Sequence, residues 1–167
     1  MSNCQYYINK LGLIKHPEGG AFKETYRSAI VFPEQSISEL FLGDRNASTA
    51  IYFLLKQGEF SSFHKIKSDE IWHFYDGFTL TIYEIEQNGN LITHKLGRDL
   101  EKNESFQCCI QAGNWFASRC EIENGFSLLG CTVSPGFEFD DFELAEKAIL
   151  MNQYPKHKDL IEELTNK

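Results

Sequence analysis

The chain has no Cys-x-x-Cys pair, few basic residues for its acidic ones, and no long apolar run. Its five cysteines are Cys4, Cys108, Cys109, Cys120 and Cys131, an odd number. Cys108 and Cys109 are adjacent, so on a strand they point to opposite faces. Neither a disulfide framework nor a zinc knuckle is suggested, and the expectation is buried or half-buried free thiols in a reducing compartment. Sixteen Lys and Arg stand against 24 Asp and Glu, a net charge of −8. That deficit argues against a nucleic acid or an anionic membrane surface as partner, since both require basic patches. Met1 to Gln5 lacks the basic and apolar regions of a signal peptide. No apolar stretch approaches the roughly 18 residues of a membrane helix. The expectation is a soluble, cytoplasmic protein with no nucleic-acid or membrane partner and a charge that serves solubility.

Aromatic residues are plentiful, at 14% of the chain with 14 Phe and 7 Tyr. They favour strands and fill the interiors of barrels and sandwiches. A length of 167 residues suits one domain with one sizeable core. A short N-terminal helix is predicted from the capping-box spacing of Ser2 and Gln5 and an apolar face of Tyr7, Ile8 and Leu11. His16-Pro17-Glu18-Gly19-Gly20 reads as a turn, Phe22 to Val31 as extended, and Pro33 to Asn46 as loop. From Ser48 onward strands follow one another. Ser48 to Leu55 is nearly continuous in apolar residues, as a strand buried on both faces would be. Phe60–Ile66, Glu70–Tyr75, Phe78–Glu86, Leu91–Leu96, Phe106–Ile110, Asn114–Glu121 and Phe126–Val133 complete the series. Asn88-Gly89 between two of these runs is a strong hairpin signal, and Gly113 and Asn124-Gly125 punctuate others. Many short strands with glycine turns indicate an all-β sandwich or barrel. Asp140 and Glu143, with Phe142, Ala145 and Ile149, predict a helix that Pro155 ends, and Leu160, Ile161 and Leu164 a last one. The acidic run Glu138, Asp140, Asp141 and Glu143 reads as the start of that helix, complementing its dipole.

Between Gly58 and Gly77 lie His64, Ile66 and Glu70 at spacings that resemble the first cupin motif, with Ile66 where the second histidine belongs. Gln111-Ala112-Gly113-Asn114-Trp115-Phe116 resembles the second motif, with Phe116 where its metal-binding histidine belongs. The closer resemblance is to the cupin-five family, a domain of unknown function. It is carried by His16 to Gly20, Glu24-Thr25-Tyr26-Arg27-Ser28, the Ser48 to Leu55 strand, Ser68 to Tyr75, and Gly130 to Phe137. The resemblance implies a double-stranded β-helix, the cupin jelly-roll barrel, with short terminal helices, and usually a homodimer. On this reading residues 1–167 form a single cupin domain, with a barrel core at about 20–135 and a helical segment at about 140–165.

Parity gives the site. If Lys67, Ser68 and Asp69 form a three-residue hairpin loop, then His64, Ile66, Glu70 and Trp72 share one face, and His73 faces away. The resemblance turns that face into the barrel, together with Phe116, Ser118 and Cys120. A catalytic metal needs three protein ligands, and the motif positions supply only His64 and Glu70; His73, His16 and Cys120 are off-pattern candidates for a third. The reading is therefore no metal and no cofactor. His64 beside the carboxylate of Glu70 makes a proton-transfer pair. By analogy with metal-free deoxysugar epimerases a strand tyrosine, Tyr83 with Tyr52 and Tyr75 as alternatives, would be the second group. Glu18, Glu24, Tyr26, Ser62, Trp72, His73, Phe116 and Ser118 are the expected substrate contacts. Three functions stand open: a metal-independent isomerase or epimerase acting on a small polar, sugar-like molecule; a cupin that binds a small molecule without turnover; and a metal-dependent oxygenase or isomerase with an unusual ligand set.

Overall fold

The apolar and aromatic runs become strands whose alternate side chains meet in one interior. The computed structural model describes residues 3–122 and 125–166. The chain begins with α1 (Asn3–Leu11), β1 (Ile14–Lys15) and β2 (Ala21–Arg27). An excursion follows, of β3 (Val31–Phe32), α2 (Glu34–Ile37) and β4 (Arg45–Asn46). The main strands are β5 (Thr49–Lys56), β6 (Phe60–Lys65), β7 (Asp69–Gly77), β8 (Leu80–Ile85), β9 (Leu91–Leu96), β10 (Gln107–Ile110), β11 (Trp115–Cys120) and β12 (Phe126–Ser134). The chain ends with β13 (Glu143–Leu144), α3 (Lys147–Gln153) and α4 (Lys158–Glu163).

Two antiparallel sheets face each other, one ordered β1-β2-β5-β12-β7-β10 and the other β13-β6-β11-β8-β9. Between them Phe53, Leu55, Trp72, Phe74, Ile110, Leu129 and Cys131 of the first pack on Leu80, Ile82, Leu96 and Phe116 of the second. Each such side chain, once fully buried, contributes about 1.5–3 kcal/mol. Outside the second sheet, Leu150, Ile161 and Leu164 of the C-terminal segment cover Phe63, Ile85, Trp115 and Ala117. Outside the first, α1 covers Leu54, Phe126 and Leu128. Leu54 and Leu55 are thus both fully buried, on opposite faces of β5. This is the all-β, double-stranded β-helix architecture with short helices at its ends. Among the described residues no helix is long and apolar enough to cross a membrane.

Several expectations are corrected. β6 and β7 are not a hairpin: they lie in different sheets, and Lys67 to Asp69 is a corner between them. His64 and Glu70 face one interior because the two sheets confront each other, not because their strands pair. The helix expected from Asp140 begins at Lys147. The acidic residues before it serve ion pairs instead: Glu138 with Arg27, Asp141 with Arg45, Glu143 with Lys65. The expected loop 33–46 contains α2 and β4. The β8–β9 hairpin at Asn88-Gly89 is present, with Ile85 opposite Leu91. Ser2 and Asn124 lie outside the described residues.

Candidate functional site

One end of the interior is packed solid by the core just named, and the other holds a cavity of about 90 Å³. His16, Glu18, Phe22, Phe53, His64, Ile66, Glu70, Trp72 and Cys131 line it, and Glu24, Arg27, Phe137, Glu138, Phe139 and Phe142 surround its mouth. Pockets for drug-sized ligands run to roughly 300–1,000 Å³. At about 10–15 Å³ for each water-sized group, this one admits a molecule of on the order of six heavy atoms.

Glu18 is brought in by its turn. Gly19 and Gly20 have φ of +123° and +71°, and a Cβ on Gly19 would lie 2.0 Å from the Phe60 carbonyl oxygen. Only glycine permits this approach. The turn is then stitched to β6, with the Ser62 amide donating to the Glu18 carbonyl at 2.9 Å. The Glu18 side chain, 7% exposed, points inward. Its Oε1 accepts from Ser61 Oγ at 2.9 Å, and its Oε2 lies 3.0 Å from His64 Nε2 and 3.6 Å from His16 Nδ1.

The proton between Glu18 and His64 can be placed by elimination. His64 Nδ1 lies 2.7 Å from the Ser62 carbonyl, which can only accept, so Nδ1 carries hydrogen. Nε2 and Glu18 Oε2 therefore share a single proton. Burial decides its position, because it disfavours charge on either partner. It pulls His64 down to about 3. Burial first, and the charge of Glu70 second, push Glu18 well above the usual carboxylate range. Burial thus favours a carboxylic acid donating to a neutral imidazole over a carboxylate beside an imidazolium. His16 is likewise held neutral, lowered to about 4 by burial, and its Nδ1 accepts from the Glu18 amide at 3.3 Å.

Glu70, on β7, has no cation among its partners. Burial raises it to about 7, against the opposing pull of Cys131 and Trp72 beside it. Trp72 Nε1 faces that carboxylate, yet makes no hydrogen bond of normal geometry and stays unpartnered. At the mouth, Arg27 spends all five N–H donors: two on Glu24, one on Glu138, one on Asn46 Oδ1 and one on the Phe137 carbonyl. Phe137, Phe139 and Phe142 cap the opening, their rings 5.1–6.2 Å apart. The buried, bidentate Arg45–Asp141 pair at 2.6 and 2.8 Å ties this cap to β4.

Of the expected site residues, His64, Glu70, Glu18, Glu24 and Trp72 line the cavity. Phe116 lies beneath His64, ring centroids 4.1 Å apart, as its floor. The others are displaced, two of them by β-bulges. A bulge in β2 between Glu24 and Tyr26 turns Tyr26 outward, 54% exposed, and delivers Arg27. A bulge in β6 makes Ser61, not Ser62, the residue opposite Ser118. Ser62 Oγ instead accepts from the Asn166 amide at 3.0 Å. Ser118 is buried with its hydroxyl unpartnered but does not reach the cavity lining. His73 lies on the outer face, between Thr132 Oγ1 at 3.0 Å and the Gln107 side-chain amide at 2.8 Å. Tyr83 packs beside Arg119, outside the second sheet, with its hydroxyl 3.2 Å from Glu121. Tyr52 and Tyr75 meet each other at 6.0 Å, and no tyrosine lines the cavity. His64 is paired with Glu18 rather than Glu70. The sequence reading missed Ser61, Arg27 and the Phe137, Phe139 and Phe142 cap; the Phe-x-Phe spacing of 137 and 139 was the available signal.

The donor set does not fit a cupin-type metal. Ile66 and Phe116 stand at two ligand positions, and the free lone pair of His64 is taken by Glu18. Among the described residues no group of three or more His, Cys, Asp or Glu has metal-holding geometry.

With the site described, similarity can be stated. Residues 5–145 match the family model described as Cupin superfamily (DUF985). An uncharacterized protein of Saccharomyces cerevisiae is 34% identical over 150 residues, covering 84% of this chain and 74% of the yeast one. The crystal structure of a Shewanella oneidensis protein is 42% identical with a TM-score of 0.89, covering 99% of both chains. A hypothetical protein from Leishmania major gives 30%, 0.88 and 98% of both. Oxalate decarboxylase from Bacillus subtilis shares the fold alone, at 14% identity and a TM-score of 0.56 over 92% of this chain and 37% of that one.

Proposed function

Because the chain belongs to the cupin superfamily, in its DUF985 family, we propose that its barrel cavity is a metal-independent site that binds a small polar molecule and moves a proton on it. The observation that carries this reading is the 3.0 Å contact of Glu18 Oε2 with His64 Nε2, facing the same enclosed space as Glu70. Two groups whose environments set different protonation states are what an acid and a base require. Glu18 is the acid, kept neutral by burial. Glu70, raised to about 7, is the base in place of His64, and Glu18 takes the acid role expected of a strand tyrosine. In the step, Glu70 accepts a proton from the ligand while Glu18 delivers one, with His64 keeping the Glu18 carboxyl oriented. The ligand leaves isomerised with its proton count unchanged, and solvent then takes the proton from Glu70 and returns one to the Glu18–His64 pair. The cavity volume narrows the substrate from a whole sugar derivative to a fragment of a few heavy atoms.

The test is deuterium exchange. Small hydroxy- and amino-carbonyl compounds are incubated with the protein in D2O, and loss of the proton α to the carbonyl is followed by NMR. The reading expects exchange that Glu18→Gln abolishes. Compounds that bind in the cavity without any exchange would leave a non-catalytic binding protein. Stoichiometric iron, manganese, nickel or zinc in the purified protein would favour the metal-dependent alternative. A homodimer is the accompanying proposal, supported by the resemblance and by the apolar excursion that leaves Ile30, Leu40 and Leu42 67%, 68% and 74% exposed.

A further inference from the structure

The cavity is short of positive charge. Three carboxylates belong to its lining and mouth, those of Glu24, Glu70 and Glu138, against one guanidinium, that of Arg27, with Glu18 neutral. Arg27 has no donor left for a ligand, since its five N–H groups are already committed to Glu24, Glu138, Asn46 and the Phe137 carbonyl. No lysine lines the cavity, and both nitrogens of His64 are engaged. An anionic ligand would meet no free donor of positive charge. One group in the interior lacks a counter-charge. Glu70 is 8% exposed, and its carboxylate faces Trp72 Nε1 and Cys131 but has no cationic partner. It calls for a cation. The surrounding aromatic rings suit this choice, because their faces attract cations and repel anions.

We infer that the cavity takes a small protonated amine, its ammonium group held by the Glu70 carboxylate. The inference rests on the proposed reading of the cavity as a ligand site and adds the chemical class of the ligand. A hydroxyl two carbons from the nitrogen is compatible with the cavity's volume of about 90 Å³.

Three probes of matched size separate charge from fit: ethanolamine, ethylene glycol and glycolate, as cation, neutral molecule and anion. Each is titrated into 15N-labelled protein while the two tryptophan indole resonances are followed. Trp72 lines the cavity, and Trp115 packs under the C-terminal helices and serves as the internal control. The expected result is a shift of Trp72 alone, with ethanolamine binding at least tenfold more tightly than ethylene glycol and glycolate giving no shift. Glu70→Gln should weaken ethanolamine about tenfold and leave ethylene glycol unchanged, with an unmoved Trp115 signal reporting an intact fold. Equal or tighter binding of ethylene glycol or glycolate would overturn the charge assignment while leaving the ligand-site reading standing. No Trp72 shift from any of the three would overturn both.

Discussion

Oε2 of Glu18 and Nε2 of His64 lie 3.0 Å apart with one proton between them, because Nδ1 of the same imidazole is already bound to the Ser62 carbonyl. A glycine-dependent turn brings the acid, a bulged strand brings the imidazole, and Ser61 occupies the remaining carboxyl oxygen. All three hydrogen-bonding sites are satisfied without a net charge in the interior, and this arrangement governs the behaviour expected of variants.

Glu18→Gln keeps the shape of a protonated Glu18 and can donate to His64 while accepting from Ser61. Its stability should lie within about 0.5 kcal/mol of wild type, whereas Glu18→Ala, which strands a buried imidazole and a hydroxyl, should cost about 1–3 kcal/mol. Urea denaturation measures both. A loss of several kcal/mol in Glu18→Gln would mean that Glu18 is ionised in the folded protein.

Stability should respond to pH in two opposite ways. His16 and His64 are lowered to about 4 and about 3 from 6.5, so the folded state binds fewer protons there and stability falls as pH drops below 6.5. Glu70 is raised to about 7 from 4.5, so its contribution is full below 4.5 and is lost as pH rises through 7. Glu18 acts in the same sense as Glu70. Stability should therefore be nearly level from 4.5 to 6.5 and decline above and below. Glu70→Gln should remove on the order of 3 kcal/mol of the loss on raising the pH, leaving stability that rises more steeply with pH between 4.5 and 6.5. Thermal melts across pH 4–9 measure this; an unchanged profile in Glu70→Gln would contradict it.

Arg45→Ala should cost about 3–5 kcal/mol, because it leaves Asp141 buried without its partner. For a chain of this size that is a fall in melting temperature of about 2–4 °C per kcal/mol. Arg45→Met with Asp141→Leu should recover most of the loss, because it removes both charges from the interior. A single variant as stable as wild type would show that the aromatic cap does not depend on this pair.

Leu40→Asp with Leu42→Asp should convert a dimer to a monomer in light scattering and leave the melting curve of the monomer intact, since both side chains are exposed. A dimer that survives the pair of charges uses another face.

The fold was legible where one local signal matched the tertiary outcome. Asn88-Gly89 named a hairpin, the double glycine after Glu18 named a special turn, and continuous apolar residues from Ser48 to Leu55 named a strand buried on both sides. His64 and Glu70 were found through motif spacing, although the hairpin argued for them does not exist. Parity failed at Tyr26 and Ser62 because a bulge inserts one residue and reverses every later side chain; the sequence around Thr25 and Ser62 does not announce one. The helix expected from Asp140 failed for a tertiary reason. Phe142 fills the mouth of the cavity and Asp141 meets Arg45, and such distant partners override local helix signals. Tyr83 and His73 had the right chemistry on the wrong face of their strands.

The nitrogen resonances of His64, resolved through long-range 1H–15N coupling across pH 5–8, report its protonation directly. The account predicts one protonated nitrogen, Nδ1, and one lone-pair nitrogen, Nε2, unchanged over that range. Two protonated nitrogens at pH 7 would mean an imidazolium beside an ionised Glu18, and the proposed acid would have no proton to give.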